Sequence, residues 1–134
     1  DQQANELTRL TNTPDRNEYY PVWSPDGSRI AFVASGEDDI QTASVIDVDG
    51  GNLVQLTNGK SRDRHLRWSP DGQQIAFESQ VDYGTEERSA INIDIFIAQA
   101  RGGRLRRMMF AGNDDKWPTW SADGSQIARR LAGY

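Results

Sequence analysis

The 134-residue chain has no cysteine, a single histidine and two methionines. Without cysteine there is neither a disulfide framework nor a thiolate metal cluster, and the redox compartment stays open because every compartment tolerates a Cys-free chain. His65 stands alone, so a zinc centre or a histidine-based catalytic group lacks its second member. No apolar run approaches the length of a membrane span, and no membrane insertion is expected. Asp1-Gln2-Gln3 offers neither a basic start nor an apolar segment, so a signal peptide is not part of this sequence. The net charge of -5 suits neither a nucleic-acid backbone nor an anionic lipid surface, which removes nucleic acid from the expected partners. A Gly-x-Ser-x-Gly elbow is missing, and Gly59-Lys60-Ser61 lacks the earlier glycine of a phosphate loop, Val54 standing in its place. Glu37-Asp38-Asp39 and Asp47-x-Asp49 do not have the spacing of a calcium loop. The expectation is a non-enzyme with no cofactor and no metal.

Helical periodicity is lacking too, and what replaces it is a repeat. Trp23-Ser24-Pro25-Asp26-Gly27 returns as Trp68-Ser69-Pro70-Asp71-Gly72 and again as Trp120-Ser121-Ala122-Asp123-Gly124. Ser, Pro or Ala, Asp and Gly in that order suit the four positions of a type I turn. Seven residues after each Trp comes Ile30, Ile75 or Ile127, followed by Ala31, Ala76 or Ala128, and Phe32 and Phe77 extend the first two copies. A short apolar strand therefore leaves each turn. A further strand, Ala43–Val48 or Ile95–Ala100, ends at Gly50-Gly51 or Gly102-Gly103, and these pairs supply a tight hairpin into Leu53–Thr57 or Leu105–Met109. An alternating Leu-x-x-Leu-Thr stretch also occurs at Leu7–Thr11, so residues 5–11 read as the last strand of a preceding or shared unit. The Trp-to-Trp intervals are 45 and 52 residues, the extra length falling around Val81–Glu87.

Four short antiparallel strands repeated in series read as blades of a β-propeller, all-β with little or no helix. The single domain 1–134 divides into a blade over about 18–57, a blade over about 63–109 and a partial blade over about 115–134. The pattern acid-x-x-Pro-x-Trp-Ser-Pro-Asp-Gly-x-x-Ile-Ala-Phe, with Asp-x-Asp-Gly-Gly-x-x-x-x-Leu-Thr downstream, resembles the WD-like repeat of TolB-like propellers. It also resembles the propellers of tricorn and prolyl oligopeptidase-type peptidases. Leu66 stands where Pro21 and Pro118 stand in the other copies, Ala122 replaces a Pro, and Arg129-Arg130 follow Ala128 where an aromatic is expected. The resemblance implies a non-catalytic, protein- or peptide-binding scaffold of the bacterial envelope, periplasmic or otherwise extracytoplasmic. The alternatives it leaves are the substrate-gating propeller of a prolyl oligopeptidase-like serine peptidase and a purely structural repeat fragment.

Two blades and a half do not close a ring, and end faces of such a fan would expose apolar surface. The chain is expected to be a piece of a longer propeller, or a half-ring that pairs as a homodimer to complete six blades. The three repeat tryptophans, Trp23, Trp68 and Trp120, read as core residues between blades. Candidate binding residues come from two other repeat positions. Five residues before each Trp stands an acid, Glu18, Asp63 or Asp115, which fits either a loop anchor or a ring of carboxylates at the channel mouth. Three residues before it the chain varies, Tyr20, His65 and Trp117, and these read as an aromatic lip suited to a peptide or as part-buried loop side chains.

Overall fold

The computed structural model describes residues 7–38, 40–81, 92–108 and 115–131. Strands β1 (Asn17–Trp23), β2 (Arg29–Ser35), β3 (Gln41–Asp47) and β4 (Val54–Gln55) form one antiparallel blade. A second blade comprises β5 (Arg62–Trp68), β6 (Gln74–Val81), β7 (Asn92–Gln99) and β8 (Arg106–Met108). A separate hairpin of β9 (Asp115–Trp120) and β10 (Ile127–Leu131) begins a third. No helix occurs among the described residues.

Each Trp-Ser-x-Asp-Gly stretch makes the same turn. Gly27 donates its N–H to the Ser24 carbonyl at 2.9 Å, and Ser24 in turn bonds Arg29 across the hairpin at 2.8 Å. Gly27 has φ +70°, Gly72 +68° and Gly124 +73°, a backbone that disfavours any Cβ, which is why glycine closes all three turns. The Asp side chain fixes the loop from within: Asp26 Oδ1 accepts from the Ser24 hydroxyl at 2.7 Å and from the Ser28 amide at 3.0 Å.

β2 is apolar from Ile30 to Ala34, and β3 interleaves Ala43, Val45 and Ile46 with the buried Thr42 and Ser44, because both faces of the blade are covered. Ala31, Val33, Ala43 and Val45 face the second blade and pack with Leu56, Leu66, Trp68, Ile75, Phe77, Ala98 and Ala100 into one core. Phe32, Ala34 and Ile46 form a smaller cluster against which Leu10 and Ile30 pack. Alternation along β2 thus feeds two separate apolar layers, and on β3 the Phe32 side also takes in the buried Thr42 and Ser44.

Three expectations need correction. Residues 7–11 form no strand: Leu7 is 99% exposed, and only Leu10 reaches the protein, on the Phe32 cluster. None of the described strands pairs with this stretch, so its side chains pack without a ladder; residues 5 and 6 lie outside the described residues. The Leu-Thr strand of the first blade shrinks to two residues because Thr57 leaves the ladder and uses its hydroxyl to accept from the Ala43 amide at 3.0 Å. Finally, the repeat tryptophans do not share one environment. Trp68 is 8% exposed between two blades, Trp120 is half-buried, and Trp23 is 61% exposed on the first blade's outer side. The insertion at 82–87 lies outside the described residues, as does Met109.

Candidate functional site

Innermost strands β1, β5 and β9 carry the same irregularity. The β1–β2 register slips between Tyr19 and Val22, the β5–β6 register between Arg64 and Arg67, and the β9–β10 register across Ala128 and Arg130. Inside each bulge sits one of the three varying residues, with a left-handed backbone: Tyr20 at φ 54°, His65 at 52° and Trp117 at 57°. For bulky L-residues this conformation costs on the order of 1–3 kcal/mol, and bulges of this kind re-aim a side chain out of the sheet's alternation. The three lie within the strands, not in the loops entering them.

Re-aimed in this way, the side chains meet. Tyr20 and His65 have ring centroids 6.5 Å apart, His65 and Trp117 3.9 Å apart, and Tyr19 flanks Tyr20 at 6.1 Å. One row of rings therefore crosses three blades. Tyr20 is 56% and Trp117 47% exposed, so the row presents aromatic surface to solvent.

A residue that the sequence did not single out holds the row together. Glu78, 3% exposed on β6, places Oε2 2.9 Å from His65 Nδ1, and its Oε1 accepts the Trp117 backbone N–H at 2.5 Å. One carboxylate thus spans from the bulge of β5 to the bulge of β9. The available signal was a charged residue at the repeat position where the first blade has Val33.

The repeated acids separate from this row. Asp63 is fully buried on β5 and accepts from the Ser61 hydroxyl at 2.9 Å and the Ser79 hydroxyl at 2.7 Å. Burial pushes its carboxyl above the usual range, opposed by hydrogen bonds from Thr57, Ser79, Ser61 and Ala43. Asp115, equally buried on β9, pairs with Arg129 of β10. That pair explains why an arginine replaces an aromatic in the third copy. Glu18 is exposed and accepts from the Thr13 hydroxyl. Asp63 joins Thr57 of the first blade and Ser61 of the connecting stretch to Ser79 of β6, Asp115 ties β9 to β10, and the three acids do not line an open mouth together. Among the described residues, no three His, Asp or Glu side chains converge as a metal ion would need.

The family model described as PD40, TolB beta propeller domain, matches residues 3–131. Among solved structures, a putative TolB from Agrobacterium tumefaciens superposes with TM-score 0.69 at 26% identity, over 87% of this chain and 39% of that one. TolB from Acinetobacter baumannii gives TM-score 0.68 at 28% identity, over 93% of this chain and 29% of that one. Hydrazine synthase from Kuenenia stuttgartiensis shares the fold, with TM-score 0.60 at 22% identity over 78% of this chain and 34% of its own. The chain thus spans less than two fifths of the solved TolB chains it matches. No curated protein matches the sequence.

Proposed function

The chain belongs to the TolB beta propeller domain family, and on that premise we propose that it is a non-catalytic scaffold that binds a protein or peptide along its aromatic row, in the bacterial envelope. The observation that carries this reading is the shared left-handed backbone of Tyr20, His65 and Trp117. Strain repeated at one position in three blades, with a different aromatic side chain each time, suits a surface whose geometry is fixed and whose chemistry is tuned. Rings half-exposed at both ends of the row supply large, rigid contact area of the kind that dominates binding energy. The apolar faces and the indole and imidazole nitrogens favour an extended partner with its own aromatic, proline or carboxylate groups.

Panning a displayed peptide library against the chain tests this. Trp117→Ala is expected to weaken the selected peptides about ten-fold or more, the effect of one aromatic anchor, with the melting temperature little changed. Peptides that bind the Trp117→Ala and Tyr20→Ala variants as well as the parent would show that the row is not the site.

A further inference from the structure

The bulge that re-aims Tyr20, His65 and Trp117 also fixes what stands beside them. The residue just before it is Tyr19 on β1, Arg64 on β5 and Lys116 on β9, and the residue that ends it is Val22, Arg67 or Thr119. Tyr19 shows where the first of these positions places a side chain, since its ring lies 6.1 Å from that of Tyr20. With the same register slip and the same left-handed residue in β5 and β9, Arg64 and Lys116 occupy the corresponding places beside His65 and Trp117. Arg67 lies along the bulge itself, its Nη1 donating to the Leu66 carbonyl at 2.9 Å. The following blade steadies this backbone: the indole N–H of Trp68 donates to the Val22 carbonyl at 3.0 Å, and that of Trp120 to the Arg67 carbonyl at 3.0 Å. A row of rings is thus edged by cations.

The nearby acids leave those charges uncancelled. Glu78 stands opposite Arg64 in the β5–β6 register, yet its two oxygens go to His65 and to the Trp117 amide. Among the described residues no carboxylate pairs with Arg64 or Arg67. Asp63 is fully buried among hydroxyls, and Asp115 is taken up by Arg129. On the three innermost strands Glu18 is the exposed acid, and it lies at the tyrosine end. Arg67 is exposed and Arg64 half-buried, so a chain of net charge -5 carries a basic strip beside its aromatic one.

We infer, building on the row as a binding site, that the bound segment is an acidic peptide whose carboxylates meet Arg64 and Arg67 while its apolar side chains lie on Tyr20, His65 and Trp117. Cations set at separate points beside rings call for carboxylates spaced among apolar residues. A nucleic-acid strand is charged at every nucleotide and would be opposed by the net charge of the whole chain. Exposed ionic contacts set specificity and encounter rate more than raw affinity, so preference between charges is the quantity to read.

Synthetic peptides built as repeats of Glu-Phe-Pro, Gln-Phe-Pro or Lys-Phe-Pro, titrated against the 134-residue chain, test the inference. At low salt the acidic peptide is expected to bind about ten-fold tighter than the neutral one, and added salt should shrink the difference. Arg64→Gln and Arg67→Gln should each weaken the acidic peptide about 2- to 5-fold, as loss of one exposed ion pair does, and leave the neutral peptide unchanged. Arg64→Lys should retain the acidic peptide. Arg64→Glu combined with Arg67→Glu should reverse the order in favour of the basic peptide, with the melting temperature showing that the fold is intact. A neutral peptide that binds as tightly as the acidic one, yet is weakened by Trp117→Ala, would keep the row as the site and overturn the inference. An acidic peptide that binds Trp117→Ala and Tyr20→Ala as well as the parent would instead remove the row, and the inference with it. Failure of the acidic peptide to bind, or tighter binding of oligothymidylate than of any peptide, would overturn it too.

Discussion

Tyr20, His65 and Trp117 set the chemistry of the candidate site through a backbone conformation that their side chains resist. Glycine resists it least, so substitution separates strain from contact. Tyr20→Gly should leave stability unchanged or raise it by up to about 1 kcal/mol, because relief at φ 54° offsets the added chain entropy. Tyr19→Gly, one residue earlier on the regular part of β1, should lower it by about 1 kcal/mol or more. Equal losses in both, measured by urea unfolding, would argue against the bulge. The position of these residues could be read from the sequence, since side chains that vary where a repeat is otherwise fixed stand out. Their conformation could not, because aromatic residues before a Pro or an apolar residue give no local signal for φ above zero. Asp63 makes a separate residue-scale case. Its carboxyl is raised by burial, so its contribution to stability is complete below the ordinary value of 3.8 and is lost as pH rises through the folded value. Asp63→Asn keeps an oxygen for Ser61 and Ser79 and removes the titration. The variant should gain stability relative to the parent as pH rises above the ordinary value of 3.8, a trend that paired thermal melts would reveal or refute.

The hairpin is the element whose form follows most directly from its residues. Gly27→Val and Gly72→Val are each expected to cost about 1–3 kcal/mol, as a β-branched side chain cannot adopt the positive φ of the turn. Unchanged melting in both would contradict the turn. Its aspartates make the opposite pH signature to Asp63. The Ser28 amide, then the Ser24 and Ser28 hydroxyls, pull Asp26 from 3.8 down to about 2. The Ser121 hydroxyl and the Ser125 amide and hydroxyl do the same for Asp123, also to about 2, and Asp71 is lowered chiefly by the Ser69 hydroxyl. A depressed carboxyl stabilises above its unfolded value and loses that stabilisation as pH falls toward the folded one. Melting temperature should therefore drop between pH 4 and pH 2, and Asp26→Asn should flatten part of that drop; an identical acid profile would exclude a role for the turn. Order along the chain encodes this element completely, since every partner lies within five residues. The Leu7–Thr11 stretch shows the limit. Its alternation is as good as that of a real strand, yet a strand also requires a neighbour to bond, and no local pattern supplies one.

Blades are held to one another by the same few contacts used twice, and these decide how the tryptophans behave in the whole molecule. Sequence alone assigned all three to the core because each sits at the same repeat position; the burial of an indole here depends on the blade before it. Phenylalanine at each position removes the N–H and leaves most of the ring. At Trp68, 8% exposed, the change leaves the Val22 carbonyl without its donor inside a closed joint and should cost about 1–2 kcal/mol. At Trp120, half-buried, water can replace part of the lost bond to Arg67, and the cost should fall below about 1 kcal/mol. At Trp23 the indole is already solvated within a single chain, so Trp23→Phe should leave unfolding of dilute protein within about 0.5 kcal/mol of the parent. The ordering Trp68, Trp120, Trp23 follows the solvent exposure of each indole, least at Trp68, intermediate at Trp120 and greatest at Trp23, and not the surrounding residues, which are nearly identical. Denaturant titrations of the three variants at low protein concentration would read it directly. Equal destabilisation at all three would mean that the indole stabilises its own hairpin, and that the bonds between blades are incidental to how this fan is held together.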